Sequence, residues 1–159
     1  MKKDDLYVKM VIDRWNGSII NLNKLLNSLN EAQLQKEIAA GKNRGTYLLG
    51  HLIAVHDDML VLLGMGKKLF PELHEPFIKL ADKVSTETPT VFELKAMWDE
   101  QNNFLKEQFE KMKPEEWFEK HTAVSEEDYA KEPHRNKLNI IITRTSHLQY
   151  HSGQFVLLN

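Results

Sequence analysis

The chain has no cysteine among its 159 residues. This absence excludes disulfide bonds, thiolate metal ligands and a cysteine nucleophile, and it is compatible with a reducing cytoplasm, where we expect the protein. Long apolar runs are also missing, since no stretch approaches the ~20 residues of a transmembrane helix. Met1–Asp5 has no apolar segment after its two lysines, so we expect no signal peptide.

A strong charge of either sign is absent as well. The formal net charge is −2, with 28% charged and 42% hydrophobic residues, which is the balance of an ordinary globular domain. Such a charge provides no attraction to nucleic acid or to an anionic membrane, so we expect neither as a partner. The length predicts one domain, residues 1–159, with its own core.

Alternation with period two is missing, and apolar residues recur at helical spacing instead. The first stripe steps by four and three from Val8 to Leu29. A second helix is predicted over Thr46–Leu63, with Thr46 as its cap and Gly64 after its end. A third begins at the capping box Thr90–Glu93, and a fourth runs from about Leu138 almost to the C-terminus. Four such helices around one core predict an all-α fold, the four-helix bundle.

The connections between these helices differ in character. Asn30 is a plausible stop for the first helix, and Glu31–Ile38 predicts a short additional one. Met65–Pro89 contains three prolines and is long enough to cross a bundle from end to end. Pro114 predicts a short helical piece over Pro114–Phe118, and a polar loop is expected from there to Pro133.

Three histidines make the chemically most informative pattern. His147 and His151 are four residues apart on the fourth helix, so their Cβ atoms lie roughly 5–6 Å apart on one face. His51 lies in the second helix between apolar neighbours. Three imidazoles can share one metal ion at about 2.0–2.1 Å and leave a position open for water or substrate. The alternative is that they are surface histidines, or core histidines bonded to a carbonyl.

The remaining polar and aromatic residues are expected to play structural roles. His56 lies about 140° around the helix from His51 and cannot share its metal. Asp57 and Asp58 are expected on a solvated face, with a hydrogen bond to a ligand ring as the alternative. Solvent exposure is expected for His56, His74, His121 and His134. Core positions are expected for Trp15, Trp98 and Tyr150, with Trp15 over an open metal position as an alternative.

Several known motifs are excluded. A zincin protease needs Glu directly after the first histidine, where this chain has Leu148. The di-iron bundles need Glu three residues before each histidine, where this chain has Arg144 and Leu148. No serine has the surroundings of an activated nucleophile, and no catalytic residue is assigned.

The chain resembles the DinB-like (YfiT-like) superfamily of metalloenzymes. The resemblance rests on Leu29–Leu34, on the segment Gly45–Leu52 with its Leu-Leu-Gly-His sequence, and on His147–Gln154, which matches the family pattern HxxxHxGQ. It implies an up-down-down-up bundle with a crossover between helices two and three, which Met65–Pro89 would form. A homodimer is also implied. Ser152 departs from the pattern, since arginine is frequent there.

The resemblance also implies a site and an activity. His51, His147 and His151 would hold one divalent ion, Zn²⁺ or Ni²⁺, with waters completing its shell. Relatives include transferases and isomerases that use bacillithiol, mycothiol or glutathione. We therefore expect a metal-dependent enzyme with a low-molecular-weight thiol as cosubstrate. The alternatives are a metal-dependent hydrolase, a non-catalytic metal-binding stress protein and a metal-free helical interaction module.

Overall fold

The computed structural model describes residues 2–159 and is all-helical over that range. Within these residues the backbone forms two isolated β-bridges but no strand, which agrees with the missing period-two pattern. None of the described helices is long and apolar enough to cross a membrane. The α-helices are α1 (Lys3–Ser28), α2 (Glu31–Leu34), α3 (Gly45–Leu62), α4 (Val91–Lys111), α5 (Glu126–Lys131) and α6 (Lys137–Phe155).

The four long helices bury the predicted apolar stripes against one another. On α1, Val8, Trp15 and Leu22 are buried, as the spacing of four and three predicts. The main packing pairs join α1 to α6 and α3 to α4, and α3 also packs on α6. Helix α3 is therefore a central helix with neighbours on two sides, and its contact with α6 positions the histidines.

The predicted boundary at Asn30 is confirmed, but the helix after it is shorter than expected. The Asn30 side chain accepts the backbone N–H of Gln33 at 2.8 Å, and the Gln33 side chain accepts that of Asn30 at 3.0 Å. This capping box opens α2, which ends at Leu34 rather than continuing to Ile38.

Helix α3 begins differently from the prediction, because Arg44 and not Thr46 occupies the N-cap. The Arg44 backbone N–H donates to the Asp82 carboxylate at 2.7 Å, and the guanidinium binds the same carboxylate at 2.6 Å. Asp82, a residue 38 positions away, thus holds the start of α3, where the N-cap side chain makes no capping hydrogen bond. At the other end, Gly64 has φ of +72°, which confirms the predicted glycine stop.

The segment Met65–Pro89 is not wholly irregular. It contains a 3₁₀ turn at Pro71–Leu73 and a π-helical turn at Glu75–Lys79. Asp57 joins this segment to α3, since its carboxylate accepts the backbone N–H of Phe70 at 2.6 Å. The same carboxylate accepts the side-chain amide N–H of Gln101 on α4 at 2.6 Å. Asp57 is fully buried, so the expectation of a solvated position was wrong. Asp58 is half-buried and pairs with Lys68.

The later boundaries follow the sequence more closely. The capping box at Thr90 and Glu93 is confirmed, with Glu93 accepting the Thr90 backbone N–H at 2.7 Å. The helical piece at Pro114–Phe118 is confirmed as a 3₁₀ helix. The expected polar loop, however, contains α5, which Ser125 caps by accepting the N–H of Asp128 at 3.1 Å. Helix α5 buries no residue, so apolar periodicity could not reveal it.

The aromatic predictions were right for tryptophan and wrong for tyrosine. Trp15 and Trp98 are 2% and 1% exposed, whereas Tyr150 is 65% exposed. Successive residues of a helix are about 100° apart. Tyr150 therefore points away from the interior that its neighbour His151 faces.

Candidate metal centre

His51, His147 and His151 converge between α3 and α6. His147 Nε2 lies 3.3 Å from Nε2 of His51 and 3.0 Å from Nε2 of His151, and one nitrogen from each ring lies within 4.8 Å of the others. The separation of four residues on α6 aligns two of these rings, and the packing of α3 on α6 brings in the third. The three side chains form a group that could hold a metal ion.

The spacing of the nitrogens fits a shared ion. Two donors at 2.0–2.1 Å from a tetrahedral zinc ion are about 3.3 Å apart, and the distances of 3.0 and 3.3 Å are close to that value. No carboxylate joins the cluster within the described residues, so the donor set is three neutral imidazoles. Three protein donors leave a fourth position for a small ligand.

Hydrogen bonds fix the tautomer of two rings. His51 Nδ1–H donates to the Phe77 carbonyl at 2.9 Å, because a carbonyl only accepts. His151 Nδ1–H donates to the Gln154 side-chain oxygen at 2.6 Å. Both Nε2 atoms therefore present lone pairs to the cluster, and the Nε2 of His147 can donate a proton to only one of them. A cation among the three nitrogens satisfies all of them, which is the arrangement typical of histidine ligands.

A glycine places the partner of His51. A Cβ at Gly50 would lie 2.4–2.5 Å from ring carbons of Phe77, so only glycine allows this ring to pack on α3. The Phe77 ring is 3% exposed and belongs to the π-helical turn. Gly50 thus controls where the Phe77 carbonyl meets the His51 ring.

The site favours neutral imidazole. Burial, with the neighbouring positive charges of His151, His51 and Arg144, lowers the pKa of His147 to about 4. Burial also lowers the pKa of His151, against the hydrogen bond that its Nδ1–H donates to Gln154, which raises it. Both rings are therefore neutral at pH 7, as metal binding requires.

Tyrosines lie beside the cluster without entering it. The Tyr47 ring stacks on His51 with 6.4 Å between centroids, and its hydroxyl donates to the Leu80 carbonyl at 2.8 Å. The Tyr150 ring lies edge-on to His151 at 5.1 Å.

Arg144 precedes His147 by one helical turn and brings a positive charge to the site. The residue is half-buried, and its Nε is buried without a hydrogen-bond partner among residues 2–159. Burial lowers the pKa of the guanidinium, while the charge of Asp58 raises it. Asp58 itself is paired with Lys68 at 2.6 Å, so it does not neutralise Arg144 directly.

His56 corrects a sequence prediction. It was expected to face solvent, yet its exposure is 0%, and its ring lies between Trp15 at 4.9 Å and Trp98 at 5.3 Å. Neither ring nitrogen has a hydrogen-bond partner in the described part of the chain. Burial, with the charges of Arg144 and the cluster histidines, lowers its pKa to about 3.

The sequence does contain a signal that His56 is buried. The residues one and two turns away on α3, Leu49, Ile53 and Leu60, are all buried, because α3 packs on both α4 and α6. A helix that is apolar around most of its circumference is a buried one, and its polar residues are then buried too. Of the remaining histidines, His134 is exposed as predicted, while His74 and His121 are half-buried.

Comparisons with known proteins support the fold and not an activity. No protein-family profile matches the chain, and no curated protein matches it by sequence. The fold is similar to that in a crystal structure of a conserved protein from Enterococcus faecalis, with a TM-score of 0.63. The two are 16% identical over 99% of this chain and 95% of the other. At that identity the similarity concerns the fold alone.

Proposed function

We propose that this protein is a metal-dependent enzyme in which His51, His147 and His151 hold one divalent ion, Zn²⁺ or Ni²⁺. The convergence of three Nε2 atoms carries the proposal. Two of these atoms have their lone pairs directed by hydrogen bonds that the Nδ1–H groups donate to the Phe77 carbonyl and to the Gln154 side-chain oxygen. Within residues 2–159 the Nε2 of His147 can donate a proton to only one of these lone pairs, whereas a cation compensates both.

Metal analysis of protein prepared without a histidine tag tests the centre. We expect one ion per chain in the wild type and none in His147→Ala or His151→Ala. His51→Ala should weaken binding by at least about tenfold, because one of three donors is lost. The matched control is His134→Ala, since His134 is exposed. Equal losses in the control and in His51→Ala would refute this ligand set.

We further propose that the cosubstrate is a low-molecular-weight thiol. The chain supplies no cysteine, and no carboxylate of residues 2–159 joins the cluster to serve there as a base. A bound divalent ion lowers the pKa of a thiol from about 8.5, so that thiolate is available at neutral pH. A thiol therefore needs less help from the protein than a water would, and this favours transfer over the alternative, metal-dependent hydrolysis.

Cobalt substitution gives a visible test of this cosubstrate. Titration of the cobalt protein with bacillithiol, mycothiol, glutathione and coenzyme A should produce a sulfur-to-metal charge-transfer band with at least one of them. The same thiol should then show metal-dependent conjugation to a general electrophile. A band without conjugation would favour the non-catalytic metal-binding protein, and no band at all would favour hydrolysis.

We also propose a topology and an assembly for the helical bundle. The four long helices and the segment Met65–Pro89 between α3 and α4 suit an up-down-down-up bundle of the DinB-like type. A homodimer is the proposed assembly, and exposed apolar residues such as Met10 and Ile142, which line one groove between α1 and α6, are available for it. Light scattering at several concentrations tests the dimer, with a monomer mass as the contrary result.

A further inference from the structure

Arg144 lies one helical turn from His147, and its side chain makes no salt bridge or hydrogen bond within residues 2–159. Its buried Nε makes no hydrogen bond with any described residue. Its charge is felt at His147 and at the buried His56, since it contributes to lowering the pKa of both. The guanidinium therefore acts electrostatically on His147, which is one of the three converging histidines and lies one helical turn further along α6.

The charge at this site does not balance. The donors are three neutral imidazoles with no carboxylate in the cluster, so a divalent ion would retain its full charge there. Arg144 adds another positive charge, and the nearby Asp58 is already paired with Lys68 at 2.6 Å. A half-buried guanidinium without an anion is costly, because its lost hydration is not replaced.

We infer that Arg144 binds a carboxylate of the small molecule that occupies the open position at the three histidines. This inference rests on the proposed function and adds the class of ligand, namely a thiol or other substrate that bears a carboxylate. One end of the molecule faces the cluster, and the carboxylate lies one helical turn away along α6. The unpaired Nε and the terminal nitrogens of Arg144 serve as its donors.

A carboxylate suits this arrangement better than a phosphate. A guanidinium presents two parallel N–H groups that match the two oxygens of a carboxylate. Phosphate sites usually add helix N-termini or further basic groups. Arg144 lies in the middle of α6 and not at its N-terminus, and Lys68, the basic group beside Asp58, is already engaged by that carboxylate.

Matched thiols test the inference on the full chain. Mercaptopropionate and mercaptopropanol have the same thiol and differ in the carboxylate, and succinate has carboxylates without a thiol. Each is titrated against cobalt-loaded and metal-free protein, using the cobalt spectrum and calorimetry. The variants are Arg144→Met, which keeps the apolar stem, Arg144→Lys, which keeps the charge, and the control Arg14→Met at an exposed arginine.

We expect the wild type and the control to bind mercaptopropionate about tenfold tighter than mercaptopropanol, as one charged hydrogen-bonded pair provides. Arg144→Met should lose this preference and still bind one cobalt ion per chain, while Arg144→Lys keeps part of it. Equal binding of the two thiols by the wild type, or an unchanged preference in Arg144→Met, would overturn the inference.

The proposed function can fail separately. If neither thiol binds, the thiol hypothesis is lost, and succinate decides the role of Arg144. If cobalt does not bind, the metal centre is lost, and succinate binding to metal-free protein decides instead. In both cases the inference is supported if the wild type binds succinate and Arg144→Met does not. A lack of succinate binding to the wild type refutes it.

Discussion

His56 should make the metal-free protein sensitive to mild acid, and His56→Leu should remove much of that sensitivity. The ring is fully buried between Trp15 and Trp98, without a hydrogen-bond partner in the described residues. Protonation would place an unpaired charge in this apolar environment. Leucine has a similar volume and no polar atom, so it should pack there without the acid-dependent cost.

The size of the effect follows from the two pKa values of His56. In the unfolded chain the pKa is about 6.5, and in the folded protein burial lowers it to about 3. Below pH 6.5 the unfolded chain binds the proton and the folded protein does not, so the free energy of unfolding decreases as pH falls. The loss is about 1.4 kcal/mol per pH unit, or about 2 kcal/mol between pH 7 and pH 5.

Urea denaturation of metal-free protein at pH 7 and at pH 5 measures this loss. The fall in unfolding free energy should be about 2 kcal/mol smaller in His56→Leu than in the wild type. A residual fall remains, because the pKa values of His147 and His151 are also lowered. The exposed His134→Gln variant should retain the full wild-type fall. An equal fall in His56→Leu and the wild type would refute the reasoning.

Three further predictions concern the metal centre. Gly50→Ala should displace the Phe77 ring and weaken metal binding by about 10- to 100-fold, as measured by competition with a chelating dye. The control Gly17→Ala, where a Cβ meets nothing within 4 Å, should bind metal as the wild type does. Equal metal affinities of the two variants would contradict this prediction. Gln154→Leu should lower metal affinity about tenfold by releasing His151, measured in the same way. A chelator should leave the helical circular dichroism unchanged at pH 7, because the buried apolar residues hold the helices together. Metal at a concentration about a hundredfold above Kd should add about 2.7 kcal/mol to the free energy of unfolding.

The features that the sequence predicted correctly are those set by neighbours along the chain. The spacing of His147 and His151 determines their relation on any helix, and the capping box at Thr90 and Glu93 involves one turn of backbone. The wrong prediction of the α3 cap depends on a partner distant in sequence. Thr46 is not the cap because Asp82 binds the start of α3, and no local pattern contains that information.

The sequence predicted too little burial on α3. Periodicity identifies one apolar face, but a helix with two neighbours buries more than one. His56 and Asp57 were therefore assigned to a solvated face, although both have 0% exposure. The placement of His51 beside the α6 histidines was implied by family resemblance, and spacing within α3 alone does not specify it.

His147 on α6 and His56 on α3 should separate metal release from acid unfolding. His147 has a pKa of about 4 and His56 one of about 3, so protons reach the ligand before they reach the buried ring. The ion should remain bound at about pH 6 and be released as the pH approaches 4, because release follows protonation of the ligands. His56→Leu should therefore leave the midpoint of metal release unchanged while it reduces the acid sensitivity of the metal-free protein. Metal release followed with the cobalt spectrum across this pH range checks the point. A lower release midpoint in His56→Leu would show that protonation of His56, and not of the ligands, expels the ion.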